Sequence, residues 1–247
     1  MNPILEIKNI TAGYDKKIVL KDVSLKVYKN DFIGFIGPNG GGKTTLVKVI
    51  VGLLAPYSGT VRGFESTKPI SIGYLAQKNT IDQQFPIRVK EVVASGLSKK
   101  WRIKYSKSEL LRVDKLLNEL HLDKLKDASI SEISGGEMQR ALLGRAIISN
   151  PDLLILDEPN TYLDQISEEM LYSLLNELNK EMAIILVSHD LGTISSYVKT
   201  IACINESLHY HPTNEITHEM LESYQCPVEL ITHGKVPHRV LKDHIHE

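Results

Sequence analysis

The stretch Phe32-Ile33-Gly34-Phe35-Ile36-Gly37-Pro38-Asn39-Gly40-Gly41-Gly42-Lys43-Thr44 decides the fold of this chain. Its first five residues form a short continuous apolar run, the pattern of a strand covered on both faces in a parallel sheet. The run breaks into glycines and ends on Lys-Thr, directly before a helical run at residues 45–53. Residues 37–44 thus fit G-x-x-x-x-G-K-[ST] between a strand and a helix, the context that gives the pattern meaning. Glycines let successive backbone N–H groups turn toward a polyanion with no side chain in the way, and the helix start adds partial positive charge. The loop therefore reads as a cradle for a nucleotide's phosphates, built from Gly37, Pro38, Asn39, Gly40, Gly41, Gly42 and the start of the helix at Thr45. Lys43 is placed to reach the β- and γ-phosphates and the Thr44 hydroxyl to ligate Mg²⁺.

Working outward, Leu153-Leu154-Ile155-Leu156 and Ala183-Ile184-Ile185-Leu186-Val187 repeat the buried-strand pattern, with helical patterns between them. The core is α/β. Near the N-terminus the alternation Val23-Ser24-Leu25-Lys26-Val27 predicts half-buried antiparallel strands. Residues 86–149 carry no such apolar run and read as helical. Ser106 with Glu109 matches a capping box, and Leu110, Val113, Leu117 and Leu120 recur on one helix face. The expected layout is a core lobe over about 1–85 and 150–210, an inserted helical lobe over about 86–149, and an extension over about 211–247.

Composition bounds the function. A formal net charge of −1 lacks the basic surplus of a nucleic-acid binder, so no nucleic acid is expected as partner. Two cysteines, Cys203 and Cys226, cannot form a disulfide framework, and Cys203 lies in an apolar run as a buried thiol. Glu6 and Lys8 interrupt the N-terminus where a secretory signal needs an apolar core. No stretch approaches the roughly 18 apolar residues that a membrane span requires, so another chain must do any spanning.

Three further places carry chemistry. The strand ending Leu156-Asp157-Glu158 sets Asp157 to hold the Mg²⁺ shell, and Glu158 to orient or deprotonate the attacking water. His189 follows the run 183–187 by one serine, at the strand edge where parallel sheets of this kind bind ligands, and can donate to a γ-phosphate. Ser134-Gly135-Gly136-Glu137-Met138-Gln139 opens onto a helix and forms a second anion-binding device. One chain needs only one phosphate cradle per ATP. The economical explanation is that the second serves a nucleotide held by another copy.

The order of these motifs resembles that of ABC ATPases: residues 37–44, Gln77, residues 134–139, residues 153–158 and His189. The resemblance covers nearly the whole chain to about Tyr210. It implies a P-loop ATPase core with an inserted helical lobe, and a homodimer with ATP between the phosphate loop of one copy and Ser134, Gly135, Gly136 and Glu137 of the other. It further implies that Tyr14 stacks on adenine, that Gln77 links Mg²⁺ and water to a membrane permease, and that Asp164 contacts the opposite subunit. The stretch Ile72-Gly73-Tyr74-Leu75-Ala76-Gln77-Lys78, Asp82, Phe85-Pro86, Val89 and Val187-Ser188-His189-Asp190-Leu191-Gly192 is similar to bacterial zinc and manganese importers. Such a chain would sit peripherally on the cytoplasmic face of the membrane and serve a system that includes an extracytoplasmic substrate-binding protein. Iron-siderophore importers share part of the pattern, and a pore-less soluble ABC ATPase is the alternative. The sequence departs from the family's commonest forms at Ile133, Glu137 and the bulky loop Asn160-Thr161-Tyr162-Leu163. Seven of nine histidines follow the last core strand, from His209 to His246; either they form a solvated tail or they sense the transported metal.

Overall fold

The computed structural model describes residues 2–63, 69–77, 85–97, 105–160, 165–189, 194–214, 230–231 and 238–239. It divides into two compact units, residues 1–67 with 185–247 and residues 68–184.

In the first unit, β1 (Leu5–Tyr14) pairs antiparallel with β2 (Lys17–Val27) on one side and with β4 (Ser58–Gly63) on the other. The expected alternation holds: Val23, Leu25 and Val27 are buried while Ser24 and Lys26 face solvent. Between β2 and β4 in the chain lie β3 (Phe32–Ile36) and α1 (Lys43–Ile50). Every residue of β3 is buried, as a strand covered on both faces requires. It runs parallel to β8 (Thr200–Asn205), with Ile36 opposite Cys203, and β9 (Ser207–His211) returns antiparallel to β8. Cys203 is buried, as its apolar run predicts. A two-residue pair, β10 (Leu230–Ile231) with β11 (His238–Arg239), belongs to the same unit.

The second unit begins with β5 (Ile72–Leu75), parallel to β6 (Leu153–Asp157), whose five residues are all buried. Between them come three helices: α2 (Val89–Ser95), α3 (Lys107–Glu119) and α4 (Gly135–Ile147). Two short helical turns, Asp123–Leu125 and Ile130–Glu132, lead into α4. The capping box expected at Ser106 is present: its hydroxyl accepts from Glu109 N–H at 3.2 Å and Glu109 Oε2 accepts from Ser106 N–H at 2.7 Å. Along the face marked by Leu110, Val113, Leu117 and Leu120 the last three are buried, whereas Leu110, in the first turn, is 48% exposed. After β6 comes α5 (Gln165–Leu178), and β7 (Ala183–Val187) then crosses the division between the units. At its start Ala183 N–H donates to Asp152 O (3.0 Å); just past its end Ser188 N–H donates to Phe35 O (3.1 Å).

Candidate active site

The phosphate loop leaves β3 at Gly37 and enters α1 at Lys43. Gly42 caps α1 with φ 105°, and a Cβ there would lie 2.5 Å from Leu20 Cδ2, so this position combines a left-handed backbone with a close approach. At Gly37, φ 153°, an added Cβ would meet the carbonyl oxygen of Ile204 at 2.0 Å, so the loop lies against the end of β8. Within the loop Gly41 N–H donates to Pro38 O at 3.0 Å, and Glu206 N–H donates to Gly41 O at 3.0 Å. Lys43 is 6% exposed, and its Nζ donates to Gly37 O at 2.7 Å and Pro38 O at 3.0 Å. Thr44 is half-buried and Thr45 buried at the head of the helix, whereas Asn39 and Gly40 are exposed at the loop tip.

In the same unit, Tyr14 ends β1 with 41% of its surface exposed. The Lys48 ammonium from α1 stands 5.5 Å from its ring centroid and 3.4 Å from its hydroxyl. The aromatic face is thus held beside the helix that begins at the phosphate loop. The Ser188–Phe35 bond joins two strand ends, and from them the chain continues to Gly37 and to an exposed His189.

The second unit holds the carboxylates. Asp157 closes β6 and is 1% exposed, a burial rare for a carboxylate. Glu158 follows with φ 50°, in the left-handed region that a side-chain-bearing residue seldom adopts. Its Oε2 accepts from Gln77 Nε2 at 2.5 Å, so two residues chosen from separate motifs are brought together. The amide nitrogen is engaged with Glu158, which leaves the Gln77 amide oxygen as a donor toward a cation.

Ser134 caps α4, with exposed Gly135 and half-buried Gly136 forming its first turn. Its hydroxyl accepts from Glu137 N–H (3.3 Å), and Glu137 Oε2 accepts from Ser134 N–H (2.7 Å) and from its hydroxyl (2.8 Å). This is the same S-x-x-E box as at Ser106, legible in the sequence, and it gives a reason for Glu at position 137. The Ser134 backbone N–H, then its hydroxyl, hold the Glu137 carboxyl below the usual glutamate range. The cap is therefore fully present above the ordinary glutamate pKa and is lost as pH falls through the lowered value. Ser134→Ala should cost about 0.5–2 kcal/mol in denaturant unfolding. Glu137→Gln, which keeps an acceptor oxygen, should cost less than Ser134→Ala in the same measurement.

Sequence reasoning gave no role to Gln139, whose Nε2 donates to Pro159 O at 2.9 Å. Lys78, Asp82, Tyr162, Asp164, Asp190 and the histidines 218, 233, 244 and 246 lie outside the described residues. His209 and His211 lie on β9 and His238 on β11; among the described residues no three His, Cys, Asp or Glu side chains group as a metal site. Among them, too, no helix is long and apolar enough to cross a membrane.

The ABC transporter family profile matches residues 20–161. A probable metal transport system ATP-binding protein of Thermotoga maritima is 40% identical over 224 residues, 89% of each chain. The zinc uptake system ATP-binding protein ZurA of Listeria innocua is 38% identical over 218 residues, 84% of this chain and 85% of its own. Among solved structures, the ADP conformation of MJ1267, an ATP-binding cassette of an ABC transporter, superposes with a TM-score of 0.76. It is 25% identical, over 92% of this chain and 96% of that one. A dimeric post-hydrolysis state of the cassette MJ0796, bound to ADP and Pi, gives 0.75 at 24% identity, over 86% of this chain and all of that one.

Proposed function

The chain belongs to the ABC transporter family and is an ATP-hydrolysing transporter subunit, and from that premise we propose that it energises uptake of a divalent metal ion, zinc or manganese, through a membrane permease. The names of its relatives supply the substrate class: the Thermotoga protein is called a probable metal transport system ATP-binding protein and the Listeria protein a zinc uptake system ATP-binding protein.

The observation that carries the catalytic reading is the Gln77–Glu158 hydrogen bond next to a buried Asp157. Two copies close on two ATP molecules, each between residues 37–44 of one copy and the turn at Ser134, Gly135 and Gly136 of the other. Lys43 neutralises the β- and γ-phosphates, Tyr14 stacks on adenine, and His189 donates to the γ-phosphate. The Thr44 hydroxyl, the Asp157 carboxylate and the Gln77 amide oxygen are hard oxygen donors, the set that Mg²⁺ prefers, and they would hold it. Bound there, Mg²⁺ offsets charge on the phosphates. Glu158 orients the attacking water and takes its proton, because phosphoryl transfer of this kind is mostly positioning and electrostatic stabilisation. Once the γ-phosphate is cleaved, the charge that both copies share is split and the dimer opens. On this reading the chain sits on the cytoplasmic face of the membrane, its permease docked near Gln77, with an extracytoplasmic binding protein delivering the ion.

The test is made in the host cell. A tagged chain extracted in mild detergent should bring down an integral membrane protein. A strain carrying only Glu158→Gln should stop growing under a metal chelator and recover with added zinc or manganese. Recovery with an iron chelate alone would assign a siderophore system, and purification without any membrane protein would favour a pore-less ATPase.

A further inference from the structure

Glu158 needs more than its own conformational preference to stay where it is. A non-glycine residue in the left-handed region is strained by roughly 1–2 kcal/mol and persists only where its surroundings over-determine it. Three side chains, from three different segments of the same unit, hold this turn. Gln77 takes the Glu158 carboxylate at 2.5 Å, and Asn160 Nδ2 donates to Glu168 Oε1 of α5 at 3.0 Å. Between them is Pro159, a buried residue with no N–H, so its carbonyl is the only backbone polar group it can use as an anchor. That carbonyl accepts from Gln139 Nε2 at 2.9 Å, in a part-buried bond.

Gln139 sits on α4, five residues after the cap Ser134. At about 1.5 Å per residue it stands roughly 7–8 Å along the helix from the turn that faces the other copy's nucleotide. A helix moves as a rod. A shift of its N-terminus on docking a phosphate is passed along its axis and, through one hydrogen bond, to the carbonyl next to Glu158.

We propose that Gln139 is a positioning residue that ties the Glu158 turn to the helix sensing the opposite ATP, so that occupancy of one site sets the alignment of the water-orienting carboxylate in the other. The inference rests on the dimeric reading above. Its chemistry is plain: a side-chain amide donor on α4, a carbonyl acceptor on the turn, and no bond made or broken during turnover. A strut that merely stabilised the fold would change the amount of native protein without changing how rate depends on ATP concentration.

The experiment uses the purified full chain with Mg-ATP, and measures kcat, KM, the Hill coefficient and the affinity for a fluorescent ATP analogue. Gln139→Met keeps the length and removes the donor; Gln139→Glu keeps the shape and sets an acceptor against an acceptor. Both should lower kcat by about tenfold, the scale of one lost hydrogen bond, with ATP affinity near the wild-type value. The Hill coefficient should fall from above one to about one as the sites uncouple. Gln139→Lys, which restores a donor of similar reach, should recover cooperativity. Should Gln139→Met not fold, the comparison of Glu with Lys at this position decides the same point. Wild-type kcat and Hill coefficient in the Met or Glu variant would overturn the proposal, as would equal loss in Glu and Lys. Hydrolysis by Glu158→Gln at the wild-type rate would instead remove the catalytic reading on which it rests, and so distinguishes the two failures.

Discussion

Glu158→Gln should hydrolyse ATP some 10²–10⁴-fold more slowly than the wild type while binding it with similar affinity. The amide keeps the size of the carboxylate but cannot take a proton from water. It can still meet Gln77, because a 180° turn of either amide restores a donor–acceptor pair at the 2.5 Å contact. On the proposed reading the phosphates are held chiefly by residues 37–44, which the substitution does not touch. The substituted chain should then run on size exclusion as a dimer with Mg-ATP and as a monomer with ADP. A monomer under both conditions would remove the two-site sandwich for the isolated chain, and an undiminished rate would remove Glu158 as the group acting on water.

Lys43→Ala should abolish measurable nucleotide binding at concentrations that saturate the wild type. Lys43 is 6% exposed and its Nζ donates to two loop carbonyls, so on the proposed reading its removal takes away the positive charge that meets the phosphates. A lost charge-assisted hydrogen bond to phosphate costs about 1.5–3 kcal/mol. Equilibrium dialysis with labelled ATP checks the result. Wild-type affinity with lost turnover would instead make Lys43 a group acting in the transition state alone.

The strands were legible because a buried parallel strand has to be apolar along its whole length. β3 and β7 are continuous runs of this kind, β6 is one up to its closing Asp157, and all three are buried at every position. The phosphate loop was legible for a related reason: Gly42 adopts a backbone angle and a proximity to Leu20 that exclude side chains, so the requirement is written in residue type. The contact between Gln77 and Glu158 was not readable from spacing, since it joins residues 81 apart in the chain. Only the resemblance singled out Gln77. Gln139 escaped for the same reason. A side-chain amide bonding to a backbone carbonyl 20 residues away follows no period, and its acceptor has no side-chain identity to search for. Leu110 shows a different limit, for periodicity marks a helix face without saying how much of its length is covered.

The loop at residues 37–44 is braced by its own lysine and by the Glu206 amide, through bonds contained within one unit. On the proposed reading, phosphates arriving there exchange acceptors on an ammonium already in place, and the conformational entropy of the loop is lost during folding rather than at each encounter. A cradle shaped in advance reads the charge and spacing of the phosphate chain and does not adapt to what is attached to it. On the proposed reading, the Tyr14 ring adds a stacking surface beside that cradle, with no donor–acceptor pattern tied to purine identity.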